Sequence, residues 1–249
     1  MVDIHTHIIP GIDDGSQDIG TSILMAEMAV ESGVSTIIAT PHCNQRGAFK
    51  NHVSDSLLRR MDSFRNEIAK ENIKLDIAFG MEIYCTSDVP SLLKERKLLS
   101  LNGSRYVLVE FNFGMDTQRM ERMLYSIMDS GYVPIIAHPE RYYELQGQLE
   151  LVADWMNEGM GIQINKGSIF GHFGRDAREF SYAMLRYGLV TCIASDAHGA
   201  DSRTTDMTEI YDFLMDEFSV VEAERLLTEN PMRIINNKPL ISGNDIQFY

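Results

Sequence analysis

The chain has little cysteine, no long apolar run and no surplus of positive charge, and each shortage closes off a class of protein. Three cysteines, Cys43, Cys85 and Cys192, cannot pair completely and show no C-x-x-C spacing. That argues against a disulfide framework and fits a reducing, cytoplasmic setting. No segment approaches about 18 consecutive apolar residues, and the N-terminus lacks the basic and apolar regions of a signal peptide, so neither membrane insertion nor export is expected. Lys and Arg total 22 against 36 Asp and Glu, a net charge of −14, which disfavours nucleic acid and anionic membranes as partners. What remains is ordinary globular material: with 44% hydrophobic and 23% charged residues, the chain can bury a core and is too apolar for disorder.

No linker, low-complexity tract or internal repeat divides residues 1–249, and a single domain is expected over that length. Short apolar runs alternate with amphipathic stretches. Strands are expected at 2–5, 36–40, 76–82, 106–111, 133–138, 161–165 and 189–196. Helices are expected at 19–32, 54–71, 88–96, 117–130, 149–158 and 175–187, and again from Asp206 onward, with Asn230-Pro231 opening the last. Helical spacing links Ile23, Met28 and Val30, and likewise Met120, Leu124, Ile127 and Met128. Continuous apolar blocks such as Ile37-Ile38-Ala39 suit strands buried on both faces, as in a parallel sheet under helices. Gly33, Gly131, Gly159 and Gly188 stand where helices should close. Seven strand–helix units without a break predict an α/β fold, a (β/α) barrel of seven strands.

Five of the seven histidines fall at or just past an expected C-terminal strand end. His5 and His7 form an H-x-H whose period of two points both rings to one side. His42 closes the second strand, His138 the fifth, and His198 follows the seventh. Carboxylates take matching places: Glu82, Glu110 and Asp196 at the ends of strands three, four and seven, and Asp14 in the first loop. A barrel gathers these ends at one mouth. Nine such groups buried together are costly without partners or metal. Imidazoles and carboxylates without thiolates suit Zn, Mn or Fe at an open site, and nine exceed what one ion uses, so two or three ions are implied.

Taken in order, His5-Thr6-His7, Asp13-Asp14-Gly15, Thr40-Pro41-His42, Gly80-Met81-Glu82, Val109-Glu110, Ile136 through Arg141 and Ser195-Asp196-Ala197-His198 resemble the polymerase-and-histidinol-phosphatase (PHP) superfamily. More narrowly, the run from His5 through Gly15 resembles the bacterial manganese-dependent protein-tyrosine phosphatases of capsule and exopolysaccharide clusters, and the likeness extends over residues 1–237. The resemblance implies a distorted seven-stranded PHP-type barrel with its metal site at the C-terminal strand ends. It implies three divalent ions, Mn²⁺ before Fe or Zn: one on His5, His7 and Asp196, one on Glu110 and His138 with Glu82 bridging the two, and one on Asp14, His42 and His198. It further implies Arg141 and Arg203 on the phosphoryl group, a metal-activated hydroxide as nucleophile, and as substrate a phosphotyrosine protein, namely a membrane-associated tyrosine autokinase. Related sequences often carry proline where Thr204-Thr205 follows Arg203, which leaves the shape of that loop open.

Other readings compete. A cysteine-dependent phosphatase needs an arginine six residues after its thiolate, but those positions hold Phe49, Ser91 and His198. A metal-dependent amidohydrolase would want further histidines on the middle strands, whereas strand six ends Gln163-Ile164-Asn165. A small phosphate monoester such as histidinol phosphate is the alternative substrate, and a non-catalytic binding protein is the alternative class, against which the intact ligand set argues. Asn165 either bonds near the metals or caps the next turn. His52 and His172 read as surface residues, and Cys43 as a small space-filler beside His42. Arg46, Phe49 and Lys50, in the loop 44–52, either contact an acidic peptide or are solvated; Phe49, Tyr84, Tyr142 and Tyr143 either flank a substrate ring or pack. With three ions, a hydroxide, four carboxylates and two arginines, the mouth would carry about +3, a positive focus within an acidic protein.

Overall fold

Strands alternate with helices through the computed structural model, which describes residues 1–243; residues 244–249, the end of the expected 1–249 domain, lie outside the described residues. The strands are β1 (Val2–Thr6), β2 (Thr36–Ala39), β3 (His42–Cys43), β4 (Asp76–Phe79), β5 (Glu82–Tyr84), β6 (Tyr106–Glu110), β7 (Val133–Ala137), β8 (Gly161–Asn165) and β9 (Cys192–Ala194). They form two sheets, in the orders β1-β2-β4 and β3-β5-β6-β7-β8-β9, and every ladder is parallel. Parallel pairing requires crossovers, and the amphipathic helices supply them.

The structure therefore has nine described strands in two sheets where one ring of seven was expected. Two of the expected strands are interrupted. Pro41 has no N–H to donate to a ladder, and it separates β2 from β3. Gly80 separates β4 from β5; a Cβ there would lie 2.8 Å from Leu101 Cδ2 and 3.3 Å from Leu101 Cα, so a larger residue would require Leu101 to shift. In consequence His42 and Glu82 open short strands instead of closing long ones. The sheets nevertheless meet, because His7 N–H donates to Ala197 O and Asp196 N–H to His5 O, each at 2.9 Å, setting β1 beside the end of β9.

Alternate residues of six strands from both sheets fill one cluster: Val2, Ile4, Ile38, Ala78, Leu108, Ile135, Ala137, Cys192 and Ala194. Continuing the same alternation leads from Ile38 to His42, from Ala78 to Glu82, from Leu108 to Glu110 and from Cys192 to Asp196. His138 does not continue the alternation of Ile135 and Ala137 but follows β7 in left-handed backbone, and β1 departs from it as well. Its register shifts between Asp3 and Thr6, and this irregularity moves His5 and His7 onto the face that Ile4 began.

The helices are α1 (Ile19–Glu31), α2 (Asp55–Lys70), α3 (Val89–Lys94), α4 (Thr117–Asp129), α5 (Leu149–Asn157), α6 (Lys166–Ile169), α7 (Arg175–Arg186), α8 (Thr208–Glu217), α9 (Val220–Glu224) and α10 (Asn230–Ile235). Asp18, Ser54 and Asp116 cap α1, α2 and α4 through their side chains. The glycines expected to close helices do follow α1, α4, α5 and α7, all with positive φ, as at Gly33 (+88°) and Gly188 (+68°). α4 buries Met120, Leu124 and Ile127 as its spacing predicts. α1 does not follow its predicted stripe: it buries Ser22, Met25, Ala26 and Ala29, leaving Ile23 and Val30 at the edge of the core and Met28 half-buried. Small residues on the covered face let the helix lie close. No helix among the described residues is long and apolar enough to cross a membrane.

Candidate metal centre

All nine expected ligand side chains converge. His5 lies in β1 and His7 just after it; His42 and Glu82 begin β3 and β5; Glu110 ends β6; His138 follows β7; Asp196 and His198 follow β9; and Asp14 comes from the first loop. They compose four overlapping groups able to hold an ion: His7, Asp14, His42 and His198; His5, His7 and Asp196; His5, Glu82 and His138; and His42, Glu82 and Glu110. His52 and His172 belong to none of these. The loop Asp13-Asp14-Gly15 is pressed against β1, since a Cβ on Gly15 would lie 2.2 Å from His7 O. His138 and Asp196 take left-handed backbone, φ +35° and +50°, a strained state that needs surrounding structure to hold it.

Partners absent from the expected set orient these candidate ligands. Asp13 Oδ2 accepts from His7 Nδ1–H at 2.8 Å and from His42 N–H at 2.9 Å. Gln163 Oε1 accepts from His5 Nδ1–H at 2.8 Å, Gln163 Nε2 donates to Asn165 Oδ1 at 2.8 Å, and Asn165 Nδ2 donates to Asp196 Oδ2 at 2.6 Å. Asn165 thus bonds at the cluster and makes no side-chain cap. Sequence reasoning passed over Asp13 and Gln163, although both sit in the quoted motifs or strand ends. Buried polar residues beside ligand positions are the signal that marks them.

These hydrogen bonds decide which nitrogens are free. With both Nδ1 atoms donating, the Nε2 lone pairs of His5 and His7 face one another at 3.2 Å, where only a proton or a cation relieves their repulsion. Glu82 Oε2 is buried without a well-directed hydrogen bond, although His42 Nδ1, His7 Nε2 and His5 Nε2 lie 2.7, 3.3 and 3.4 Å away. The donor set thus fits divalent cations. Titration reflects the crowding. Burial and the Glu82 charge push the Glu110 carboxyl up to about 8. Burial and the His7 charge push His198 down to about 3. Burial opposes the charged forms of Glu82 and Asp196, but neighbouring histidines outweigh it and hold both well below the carboxylate range.

A cavity of about 270 Å³ opens over the cluster, lined also by Phe49, Phe113, Arg141 and Arg203. Arg203 Nη2 and Arg141 Nη1 lie 2.5 and 3.5 Å from Asp196 Oδ2, and Arg203 Nε is buried without a partner. Thr205, in the loop after Arg203, is buried and its hydroxyl donates to Met25 O at 2.5 Å. Of the four aromatic residues singled out, Phe49 reaches the cavity, its ring stacked on His42 at 5.7 Å. Tyr142 is buried, its hydroxyl bonded between Ala137 O and Phe111 N–H; Tyr84 and Tyr143 do not line the cavity. Arg46 faces Asp88 at 3.6 Å, largely exposed. Cys43 is buried, which drives its thiol up to about 12 and disfavours the reactive thiolate.

Known proteins resemble this chain over nearly its whole length. The family described as "Capsular polysaccharide synthesis, CpsB/CapC" matches residues 1–236. The tyrosine-protein phosphatase YwqE of Bacillus subtilis is 38% identical over 240 residues, covering 96% of this chain and 93% of its own. The tyrosine-protein phosphatase CpsB of Streptococcus pneumoniae is 33% identical over 244 residues, covering 94% and 98%. A crystal structure from work on these two proteins, described as unique metal-dependent tyrosine phosphatases, superposes with a TM-score of 0.89 at 36% identity over 97% of each chain.

Proposed function

The chain belongs to the CpsB/CapC family, and from that premise we propose that it is a metal-dependent protein-tyrosine phosphatase working at the cluster beneath Arg141 and Arg203. The opposed Nε2 atoms of His5 and His7, 3.2 Å apart with both Nδ1 atoms committed, carry the reading. We assign three divalent ions, manganese first: His5, His7 and Asp196 to one, Glu110 and His138 to another with Glu82 shared between them, and Asp14, His42 and His198 to the third. The groups His5, His7 and Asp196, and Asp14, His42 and His198 together with His7, support the first and third sets, while Glu82 is common to the two groups that contain His138 and Glu110. The two sheets are read as one interrupted PHP-type barrel, a reading supported by the β1–β9 hydrogen bonds and by the apolar cluster common to both sheets.

Bound divalent ions supply Lewis acidity and a hydrolytic nucleophile at neutral pH. The chain's own groups do the rest. Arg141 and Arg203 present guanidinium forks to the phosphoryl oxygens and offset the charge that develops there. Asp13, Gln163 and Asn165 keep the ligands in one tautomer and orientation. Phe49 and Phe113 give the cavity apolar wall suited to a phenyl ring. A phenol of pKa about 10 departs more readily than an aliphatic alcohol, so little proton donation is demanded. The substrate is assigned to a membrane-associated tyrosine autokinase and the site of action to the cytoplasm; raised kinase phosphotyrosine in a deletion strain is the check.

Chelator-stripped protein should lose turnover of a phosphotyrosine peptide and recover it with Mn²⁺. Phosphotyrosine peptides should exceed matched phosphoserine peptides and histidinol phosphate in kcat/KM. Full turnover after verified metal removal would sink the metal reading, and equal turnover of phosphoserine would sink the tyrosine preference.

A further inference from the structure

We propose that Phe173 is a positioning residue that holds both phosphate-side arginines in convergence, a role that rests on the reading of Arg141 and Arg203 given above. Phe173 sits in the turn between α6 and α7, flanked by Gly171 and Gly174 at φ +81° and +96°. Its ring lies on bare backbone, because a Cβ on Gly167 would come within 3.2 Å of Phe173 Cε2 and of His172 Nδ1. The turn therefore delivers one aromatic ring to a defined place beside the cavity.

Both guanidinium groups meet that ring. The Arg141 guanidinium carbon is 4.3 Å from the Phe173 centroid and that of Arg203 is 5.6 Å away. Arg141 also lies 4.7 Å from Phe113. The two cations share a single acceptor atom, Asp196 Oδ2, and like charges at one oxygen repel. Their side chains are 19% and 32% exposed, so solvent offers both an alternative. An aromatic face attracts each of them without using their N–H groups, so those not directed at Asp196 stay available to a phosphoryl group. Arg203 adds a strained backbone, φ +48°, and a buried Nε with no partner among the described residues, the state expected of a group held ready for an acceptor.

The test uses the metal-loaded protein with inorganic phosphate as competitive inhibitor and a phosphotyrosine peptide as substrate. Phe173→Leu keeps apolar bulk and removes the π face. Metal content and Tm should stay at the wild-type level while the phosphate inhibition constant rises roughly tenfold, the scale of one to two cation–π contacts. Phe173→Tyr should restore it. In an Arg141→Ala, Arg203→Ala background the leucine substitution should add little, since its effect passes through those side chains. An unchanged inhibition constant in Phe173→Leu, or a loss of metal in step with affinity, overturns the proposal. Should Phe173→Leu not fold, Phe173→Met is read in the same way, and failure of both to fold makes Phe173 structural and overturns it too. If Arg141→Ala and Arg203→Ala themselves bind phosphate as the wild type does, the arginine reading falls and this one with it.

Discussion

Asp13 Oδ2 accepts the Nδ1–H of His7 at 2.8 Å, and the same oxygen accepts His42 N–H at 2.9 Å. One buried carboxylate thus sets the tautomer of one candidate ligand and the backbone of another. Asp13→Asn keeps the size but offers an N–H where His7 needs an acceptor. Metal affinity is expected to fall 10- to 100-fold, roughly the usual effect of losing an orienting partner. Metal content after dialysis against a graded chelator reads this directly, and undiminished retention would assign Asp13 to the fold alone.

Metal affinity should rise between pH 6 and 8. In the metal-free chain burial, then the Glu82 charge, raises the Glu110 carboxyl to about 8, so it holds its proton below that pH and must release it to bind an ion. His5, His7 and His42 work in the same direction: burial opposes their charge, but neighbouring carboxylates outweigh it and raise all three. Glu82 and Asp196 are held low and already ionised, so they add no dependence in this range. Calorimetric titration with Mn²⁺ in buffers of differing ionisation enthalpy should register net proton release, largest near pH 6. Proton-neutral binding at pH 6 would contradict the assignment.

Arg203→Ala should keep its metals and lose transition-state stabilisation, on the order of 2–4 kcal/mol if the guanidinium acts as one oxyanion donor. The readouts are kcat/KM and bound metal on the same preparation. Unchanged kinetics would place Arg203 outside the reaction.

The thiols should be bystanders. Burial raises Cys43 and Cys85 to about 12 and Cys192 further, so at pH 8 the reactive thiolate is scarce in the native chain. Iodoacetamide should label the native protein slowly and the unfolded protein fast, with activity retained while the fold persists. Rapid native inactivation that tracks Cys43 labelling would show that this residue is more than packing.

Legibility in the sequence followed the range of the interaction. The strand–helix order and the nine candidate positions that converge could be read locally, since alternation along a strand carries Leu108 to Glu110 and Cys192 to Asp196 on one face. The interruptions at Pro41 and Gly80 were less legible because a break shows only against the neighbouring ladder; at Gly80 the obstacle is Leu101. Tyr142 stood near a ligand in sequence yet its hydroxyl is committed within the core.

By itself, then, the sequence determined which residue types gather at the strand ends, because periodicity and apolar runs are properties of neighbours along the chain. Tertiary structure alone decided how they are held. Gln163 meets His5 across 158 positions and Asn165 meets Asp196 across 31, and no local pattern encodes such a meeting. Phe173 meets Arg141 and Arg203 from a turn packed against Gly167. Which nitrogen of each histidine stays free depends on hydrogen bonds that exist only once distant strands lie side by side.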